Sequence, residues 1–292
     1  MNKLIRNYKF YRKKYICEAE LIGYGGIKIR VLLAGGILNI SPLFITSPFC
    51  WEMKGFEFHN TAKTFLDCLT KDTEIEVTHM STWDVYKGFP RTIEELSKFD
   101  VIIIADAEAQ TFYLYPEFFK AATWAKGESL TFPNRPELIR QYVENGGGLL
   151  MAGGWLSFQG RFGWGQWHDT PVEEALPVNC LPHDDLMETP EGGKIEVVDP
   201  DHPLMKGIPW ETCPPLLGFN KTELKPDAKL LATISGANKK KYPLIAVRDY
   251  GKGRSMIFAS SILPHWGANF LKWKYYGELW IRSVKWLAKK LI

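Results

Sequence analysis

The chain has 292 residues, of which 46% are hydrophobic and 24% charged, which is enough apolar material for one large domain or two small ones. Its formal net charge is +3, but six lysines and arginines and no acid lie in the first fourteen residues, and removing those six charges leaves −3 for the remainder. This balance argues against an extended nucleic-acid-binding surface. No apolar run approaches the roughly 18 residues of a transmembrane helix.

The cysteines indicate a reducing compartment. Their number is odd and none lies in a CxxC spacing, so we expect reduced thiols in a cytoplasmic protein rather than a disulfide framework. The basic N-terminus lacks the apolar segment of a signal peptide. We therefore interpret residues 1–27 as a basic arm or extension and residues 28–292 as the folded domain. The cysteines are Cys17, Cys50, Cys68, Cys180 and Cys213.

The first half of the chain alternates apolar strands with helical patterns. The apolar run up to Gly36 predicts a strand that ends in a glycine turn, but no GxGxxG dinucleotide motif follows it. A long loop is expected next, through Pro42, Pro48 and Cys50. A loop of this length within a compact domain is usually functional. The elements predicted after it are a helix over 58–69, a strand over 74–79, a Thr92-capped helix over 92–96, an apolar strand over 100–106, a helix over 133–145 and a strand over 149–152.

This order predicts a right-handed, doubly wound, mostly parallel sheet. The turn Gly153–Ser157 and the loop Asp106–Thr111 then lie at its C-terminal edge, where α/β folds place their chemistry. The turn has the small flanking residues of a nucleophile elbow, but its centre is Trp155, which cannot attack a carbonyl. A packed glycine turn capped by an aromatic residue is the alternative interpretation.

The second half of the chain is richer in predicted strands. A glycine-tryptophan loop over 159–168 precedes a short helix with Pro171 at its first position. Strands are predicted over 194–198, 229–234 and 244–248, and a hairpin turn at 249–253 leads to a return strand over 254–260. A C-terminal amphipathic helix is expected over 275–291, packed on the sheet.

Together these motifs resemble the class I glutamine amidotransferase-like superfamily. The chain is most similar to the bacterial putative glutamine amidotransferases, which are related to the ThuA-like trehalose-utilisation proteins. The resemblance covers roughly residues 28–290, in matching order, and implies a flavodoxin-like doubly wound sheet with a β-rich C-terminal part. The residues that carry it are Asn145–Gly160, Thr170–Glu174, His183–Asp185, Asp201–Pro203, Leu216–Asn220, Tyr250–Arg254 and Pro264–Gly267.

The resemblance also assigns positions to the glutaminase machinery. The elbow cysteine maps to Trp155, the oxyanion loop to Asp106–Glu108 and the histidine to His265. Gly267 stands where the glutaminases have glutamate. Two of the three triad members are therefore absent, and we do not expect glutaminase activity.

The candidate site residues follow from these positions. His265 is the first candidate for a general base or ligand donor, with a hydrogen-bonded loop histidine as the alternative. The catalytic candidates are His265, Glu108 and Ser157, and the ligand-binding candidates are Trp155, Asp106, Arg161, Trp266, Asp184 and Asp185.

Several alternatives stay open for individual residues. Asp106 could instead cap the turn that follows it. The cluster of His183, Asp184, Asp185 and Glu188 could bind a metal or sugar hydroxyls, although a solvated acidic turn is commoner, and no metal is predicted. Cys50 or Cys180 could act as a relocated thiol.

Three functions are compatible with the sequence. The first is a small-molecule enzyme or sensor of the ThuA-like kind, with a hydrolase or a carbohydrate-related enzyme as the expected forms. The second is an enzymatically inactive amidotransferase-like module that binds a partner or oligomerises. The third, ranked last, is a glutaminase with an unusual thiol. We expect a small-molecule ligand and a homo-oligomer, with no cofactor, nucleic acid or membrane partner.

Overall fold

The computed structural model describes residues 28–36, 38–47, 50–120, 130–237 and 239–291, with the backbone alone over 38–59. The predicted basic arm over 1–27 lies outside the described residues. No helix of the described ranges combines the length and apolarity required to cross a membrane.

Thirteen strands and seven α-helices are labelled here in chain order. The strands are β1 Ile29–Gly35, β2 Leu38–Ser47, β3 Cys50–Asn60, β4 Ile75–Met80, β5 Val101–Ala105, β6 Gly148–Ala152, β7 Val178–Cys180, β8 Leu186–Val197, β9 Leu216–Asn220, β10 Thr222–Leu224, β11 Lys229–Ser235, β12 Lys241–Tyr250 and β13 Gly253–Phe258. The helices are α1 Lys63–Leu69, α2 Thr82–Gly88, α3 Ile93–Leu96, α4 Ala109–Tyr113, α5 Arg135–Glu144, α6 Pro171–Ala175 and α7 Tyr276–Leu287.

A mixed sheet of nine strands forms the centre of the fold, in the order β4-β1-β5-β6-β13-β12-β11-β8-β9. The first five of these strands pair in parallel. The other four continue the sheet in antiparallel pairs. The predicted α/β fold with a mostly parallel core and a β-rich C-terminal part is therefore confirmed.

Both faces of the sheet are covered by helices. Along β1, Val31 and Leu33 belong to one apolar core and Leu32 and Ala34 to the other, because successive side chains of a strand point to opposite faces. Helices α1 and α7 pack in the first core, and α2 to α6 pack in the second. Burial on both faces explains why the central parallel strands β5 and β6 are apolar throughout.

The register of the parallel strands aligns their C-terminal ends. Gly35 of β1 pairs with Ala105 of β5, Ala105 pairs with Ala152 of β6, and Ala152 pairs with Phe258 of β13. The segments that leave these strands therefore start side by side. This alignment brings together residues that are far apart in sequence.

The prediction of a long loop after β1 is wrong. Strands β2 and β3 form a separate antiparallel hairpin there, in which Pro42 pairs with Phe56. In a two-stranded sheet each strand is an edge, so a proline without an N–H group is tolerated. The helix predicted to begin near residue 58 begins instead at Lys63, because β3 runs on to Asn60.

Side-chain caps begin two short helices, α3 and α2, of which only α3 was predicted. The Thr92 side chain accepts a hydrogen bond from the Glu95 N–H at 3.3 Å, as the capping pattern predicts. Helix α2 was not predicted, although Ser81 caps it by accepting from the Asp84 N–H at 3.4 Å. A single serine cap before a seven-residue helix is a weak signal.

Close packing of β6 against α7 generates a prediction about Gly148. A Cβ atom there would lie 2.8 Å from the Cβ of Leu287 and 2.9 Å from its carbonyl oxygen. We expect Gly148→Ala to lower the free energy of unfolding by about 1–3 kcal/mol through overpacking, measured by chemical denaturation. The control is Gly88→Ala, whose nearest neighbour is Met80 Cε at 3.8 Å and which should be neutral or stabilising. Equal effects of the two substitutions would contradict this account.

Candidate functional site

The aligned strand ends enclose a cavity of about 230 Å³, which we call the elbow cavity. Its wall includes Asp106 from the end of β5, Gly154 and Trp155 from the turn after β6, and Ser261, Leu263 and His265 from the segment after β13. Three strands that are separated in the sequence thus contribute to one site. The turn predicted as an elbow lies in its wall.

The side chain of Asn220, at the end of β9, holds the elbow turn in place. Its Oδ1 accepts a hydrogen bond from the Gly154 N–H at 3.0 Å, and its Nδ2 donates to the Gly154 carbonyl at 3.1 Å. Nδ2 also lies 3.4 Å from the Ser157 carbonyl and 2.8 Å from Asp185 Oδ1. Asn220 is fully buried, so these bonds face no competition from water.

The turn can approach Asn220 this closely only because Gly153 lacks a side chain. A Cβ atom on Gly153 would lie 2.7 Å from Asn220 Oδ1 and 2.7 Å from the Ala259 carbonyl. The next glycine has the same role toward Asp106, since a Cβ on Gly154 would lie 2.6 Å from Asp106 Oδ1. The two glycines therefore let β6 turn between β5 and β13.

Asp106 is the carboxyl group of the elbow cavity. Its Oδ1 accepts from the Leu156 N–H at 2.9 Å, and its backbone N–H donates to Ser157 Oγ at 3.0 Å. Burial raises the pKa of Asp106 to about 6, against the lowering effect of the Leu156 hydrogen bond, and the nearby charge of Glu108 raises it further. Asp106 can therefore exchange a proton near neutral pH.

The backbone of Asp106 is in the left-handed region, with φ of 50°. Aspartate tolerates this conformation better than most residues, yet outside a turn it is uncommon. The bonds to Leu156 and Ser157 fix both the side chain and the backbone of this residue. Strain held by surrounding contacts in this way is typical of functional sites.

His265 and Trp155 meet in the wall of the cavity. Their rings are 4.8 Å apart at an angle of 78°, and the imidazole makes no hydrogen bond to any described residue. The Nε1 atom of Trp155 is buried and likewise lacks a hydrogen-bond partner among the described residues. Both aromatic residues thus keep polar atoms that the described part of the chain does not use.

Arg161 covers the indole of Trp155. Its guanidinium carbon lies 4.3 Å from the centre of that ring, in cation–π contact. Its backbone N–H donates to the Trp155 carbonyl at 2.8 Å. Arg161 therefore supports Trp155 from beside the cavity and does not itself line it.

The acidic pair after β7 holds the glycine-tryptophan loop. Asp185 is buried and accepts from the Gln159 N–H at 2.9 Å and the Gly160 N–H at 3.1 Å, while Asp184 accepts from the Phe162 N–H at 2.8 Å. Burial raises the pKa of Asp185 to about 6. The structure thus places the two carboxylates on the loop backbone and not in the elbow cavity.

Three other predicted site residues do not line the elbow cavity. Ser157 is buried, and its hydroxyl accepts from the backbone N–H of Asp106, so it holds the backbone of Asp106 and does not line the cavity. Glu108 precedes α4, does not line the cavity, and has a buried Oε2 atom without a hydrogen-bond partner among the residues that the structure describes. Trp266 is buried and donates from Nε1 to Glu188 Oε2 at 2.9 Å.

The positions carried over from the glutaminases lack their chemistry. Trp155 occupies the elbow, and a Cβ atom on Gly267 would lie 2.4 Å from the Leu263 carbonyl and 2.5 Å from the Ser261 carbonyl. No glutamate fits at that point of the segment. Cys180 is buried, does not line the cavity, and has a thiol pKa raised well above its usual value by burial. Cys50 has its side chain outside the described part.

Sequence reasoning missed two features of the site. It named Asn220 in a motif without assigning it a role, and it did not name Ser261 as a site residue. The Ser261 Oγ accepts from the Leu263 N–H at 3.0 Å. Asn220 ends β9 and Ser261 follows β13, and only the folded sheet brings these two positions to the elbow. Within the described ranges, no three or more histidine, cysteine, aspartate or glutamate side chains are grouped to hold a metal ion.

Comparisons with known proteins agree with this fold. Two Salmonella typhimurium structures, each named a cytoplasmic protein and one from strain LT2, are 32% identical to the chain with TM-scores of 0.77. Each match covers 89% of this chain, and 98% and 99% of the respective relatives. A putative ThuA-like protein from Parabacteroides merdae shares the fold alone, at 13% identity, a TM-score of 0.51, and coverage of 89% of this chain and 90% of that one.

A search of the curated proteins gives no match. The sequence model of the family described as putative glutamine amidotransferase matches residues 44–289, which is most of the chain. This match includes the elbow turn, Asn220 and His265. The chain therefore belongs to the putative glutamine amidotransferase family.

Proposed function

We propose that the protein is a small-molecule enzyme or sensor of a carbohydrate, which it binds in the elbow cavity, and that it does not hydrolyse glutamine. The observation that carries the proposal is the pairing of groups in one wall. Asp106 has a buried carboxyl whose pKa is about 6, and His265 has an imidazole without a hydrogen bond to the described residues. Two such groups at the end of a parallel sheet favour acid–base chemistry on a bound ligand.

The chemistry of the wall suits a sugar ring. A sugar has apolar C–H faces and a hydroxyl-bearing edge. Trp155 and Leu263 offer apolar surface, while Asp106 and His265 offer hydrogen-bonding groups. The volume of about 230 Å³ lies below the range of roughly 300–1,000 Å³ for drug-sized ligands, and so favours a single small unit.

The elbow argues against glutamine hydrolysis by the family's ancestral route. That route needs a thiolate at the position of Trp155 and an acid beside His265, where Gly267 leaves no room for a side chain. In their place, the cavity offers the carboxyl of Asp106. We infer that Asp106 and His265 are the acid–base groups of this site and that Asn220 and Ser157 are positioning residues.

A binding module without enzymatic activity is the second candidate. Phe162 and Trp164 of the glycine-tryptophan loop are 65% and 58% exposed, and their rings contact each other at 5.5 Å. An exposed aromatic pair favours contact with another macromolecule, and we take a second copy of this chain as the partner.

The oligomeric state tests this second candidate. Light scattering should then give a dimer mass for the wild type and a monomer mass for the double variant Phe162→Ser with Trp164→Ser.

Sugar binding is the first prediction from the proposed function. Titration calorimetry with glucose, galactose and mannose should detect binding of at least one sugar, and His265→Ala should weaken it about tenfold through loss of a hydrogen-bonding group. The matched control is His183→Ala, an exposed histidine that does not line the cavity. Equal affinities of the two variants would contradict a role for His265.

Glutamine hydrolysis is the second prediction. We expect no ammonia release above background from the wild type, since no nucleophile stands at the elbow. The assay includes His265→Ala in parallel and a working glutaminase as the positive control. Release by the wild type that His265→Ala abolishes would mean that another nucleophile serves the site.

The charge of Asp106 generates a pH-dependent prediction. Folding raises its pKa from 3.8 to about 6, so the protonated carboxyl stabilises the folded state fully below pH 3.8, and this contribution is lost as the pH rises through about 6. Asp106→Asn stays neutral and keeps an oxygen for the Leu156 N–H. The stability of the variant relative to the wild type should therefore increase between pH 4 and 7, by at most about 3 kcal/mol.

Thermal and chemical unfolding across that pH range would measure this difference. Asp184→Asn is the matched control, because Asp184 also accepts backbone N–H groups but is only half buried. The raised pKa of Asp185 has no contribution from Asp106, so it is common to the wild type and Asp106→Asn and cancels between them, whereas Asp184→Asn removes a charge that raises it. A difference between Asp106→Asn and the wild type that does not change with pH would contradict the role of Asp106.

A further inference from the structure

A second cavity of about 300 Å³, open to solvent, shares His265 with the elbow cavity, and we call it the Glu188 cavity; Glu188 and Pro190 in its wall are exposed. It is lined by Glu188, Pro190, Leu217, His265 and Trp266. His265 also lines the elbow cavity. The two cavities therefore meet at one histidine.

The backbone fixes His265 at this junction. Its φ of 84° lies in the left-handed region, which residues other than glycine adopt uncommonly. The His265 carbonyl accepts from the Ala268 N–H at 3.1 Å, and the Trp266 carbonyl accepts from the Leu217 N–H at 3.0 Å. These bonds place the imidazole between Trp155, at 4.8 Å, and Trp266, at 5.7 Å.

The wall of the Glu188 cavity is rigid on the side of Trp266. This indole is buried against Gly218, where a Cβ atom would lie 2.2 Å from its Nε1. The same Nε1 donates to Glu188 Oε2 at 2.9 Å and so orients the carboxylate. Glu188 Oε1 makes no hydrogen bond to a described residue and remains an acceptor in the cavity wall.

Each of the two cavities has room for one small unit of a ligand. Neither exceeds the lower end of the range for drug-sized ligands, so each is matched to one small unit. The Glu188 cavity combines apolar surface from Pro190 and Leu217 with one carboxylate. A unit with a C–H face and a hydroxyl donor satisfies both requirements.

We propose that the Glu188 cavity is a subsite for the second unit of a two-unit carbohydrate whose first unit occupies the elbow cavity. Glu188 accepts a hydrogen bond from a hydroxyl group of the second unit, and His265 contacts the ligand where the two units join. This inference rests on the proposed function of the elbow cavity and adds the length of the ligand and a specificity-determining residue to it.

The test compares monosaccharides with disaccharides by titration calorimetry on the full chain. The probes are glucose and galactose against lactose, maltose and cellobiose. We expect at least one disaccharide to bind the wild type about tenfold more tightly than its constituent monosaccharides, because a charged acceptor adds a strong hydrogen bond.

Two variants test the subsite itself. Glu188→Gln keeps an oxygen for Trp266 Nε1 but replaces the free acceptor with a donor, and Leu217→Phe reduces the volume of the Glu188 cavity. Both should lower the affinity for the disaccharide to that of the monosaccharide and leave monosaccharide binding unchanged. Glu223→Gln, on the exposed part of β10 and away from both cavities, is the matched control.

The outcomes separate the inference from the function on which it rests. Equal affinities for monosaccharides and disaccharides, or a disaccharide affinity that neither variant changes, would overturn the subsite and leave the elbow cavity as a sugar site. Absence of binding by every sugar would overturn the proposed function and the subsite with it. Circular dichroism of each variant confirms that a lost affinity does not reflect unfolding.

Discussion

The site depends on the hydrogen bonds that the buried side-chain amide of Asn220 makes. Asn220 ends a strand in the antiparallel part of the sheet and yet hydrogen-bonds the turn that leaves the parallel strand β6. Through Asp185 it is also connected to the glycine-tryptophan loop. A single side chain thereby joins the two halves of the sheet at the point where the cavity forms. Because Asn220 is fully buried, losing one of its partners would leave a polar group without a bond.

This connection explains how the elbow can persist without a nucleophile. The geometry of the turn comes from Gly153, Gly154 and the amide of Asn220, and none of these contacts involves the side chain at the centre of the turn. The backbone path of the turn therefore does not depend on the side chain of Trp155. In the wall of the cavity, burial raises the pKa of the Asp106 carboxyl to about 6.

Local patterns predicted the parallel core well. The apolar runs predicted as strands became β1, β5 and β6, and the last two are apolar throughout because both of their faces are buried. Prediction failed for the hairpin of β2 and β3, where Pro42 suggested a loop. Asp184 and Asp185 were predicted to bind a ligand, and in the structure their carboxylates accept hydrogen bonds from the loop backbone. A carboxylate that binds a ligand and one that caps a backbone have the same sequence pattern.

The sequence by itself determined the doubly wound order of elements, the place of Trp155 in the glycine turn and the position of His265 after a late strand. These properties depend on residue type and local periodicity, which a single chain displays directly. Only the tertiary structure decided which of the carboxyl groups lines the cavity, that Ser157 turns inward to Asp106, and that Asn220 holds the turn. These depend on the register of strands far apart in sequence, because contacts across a sheet are fixed by pairing and not by neighbouring residues.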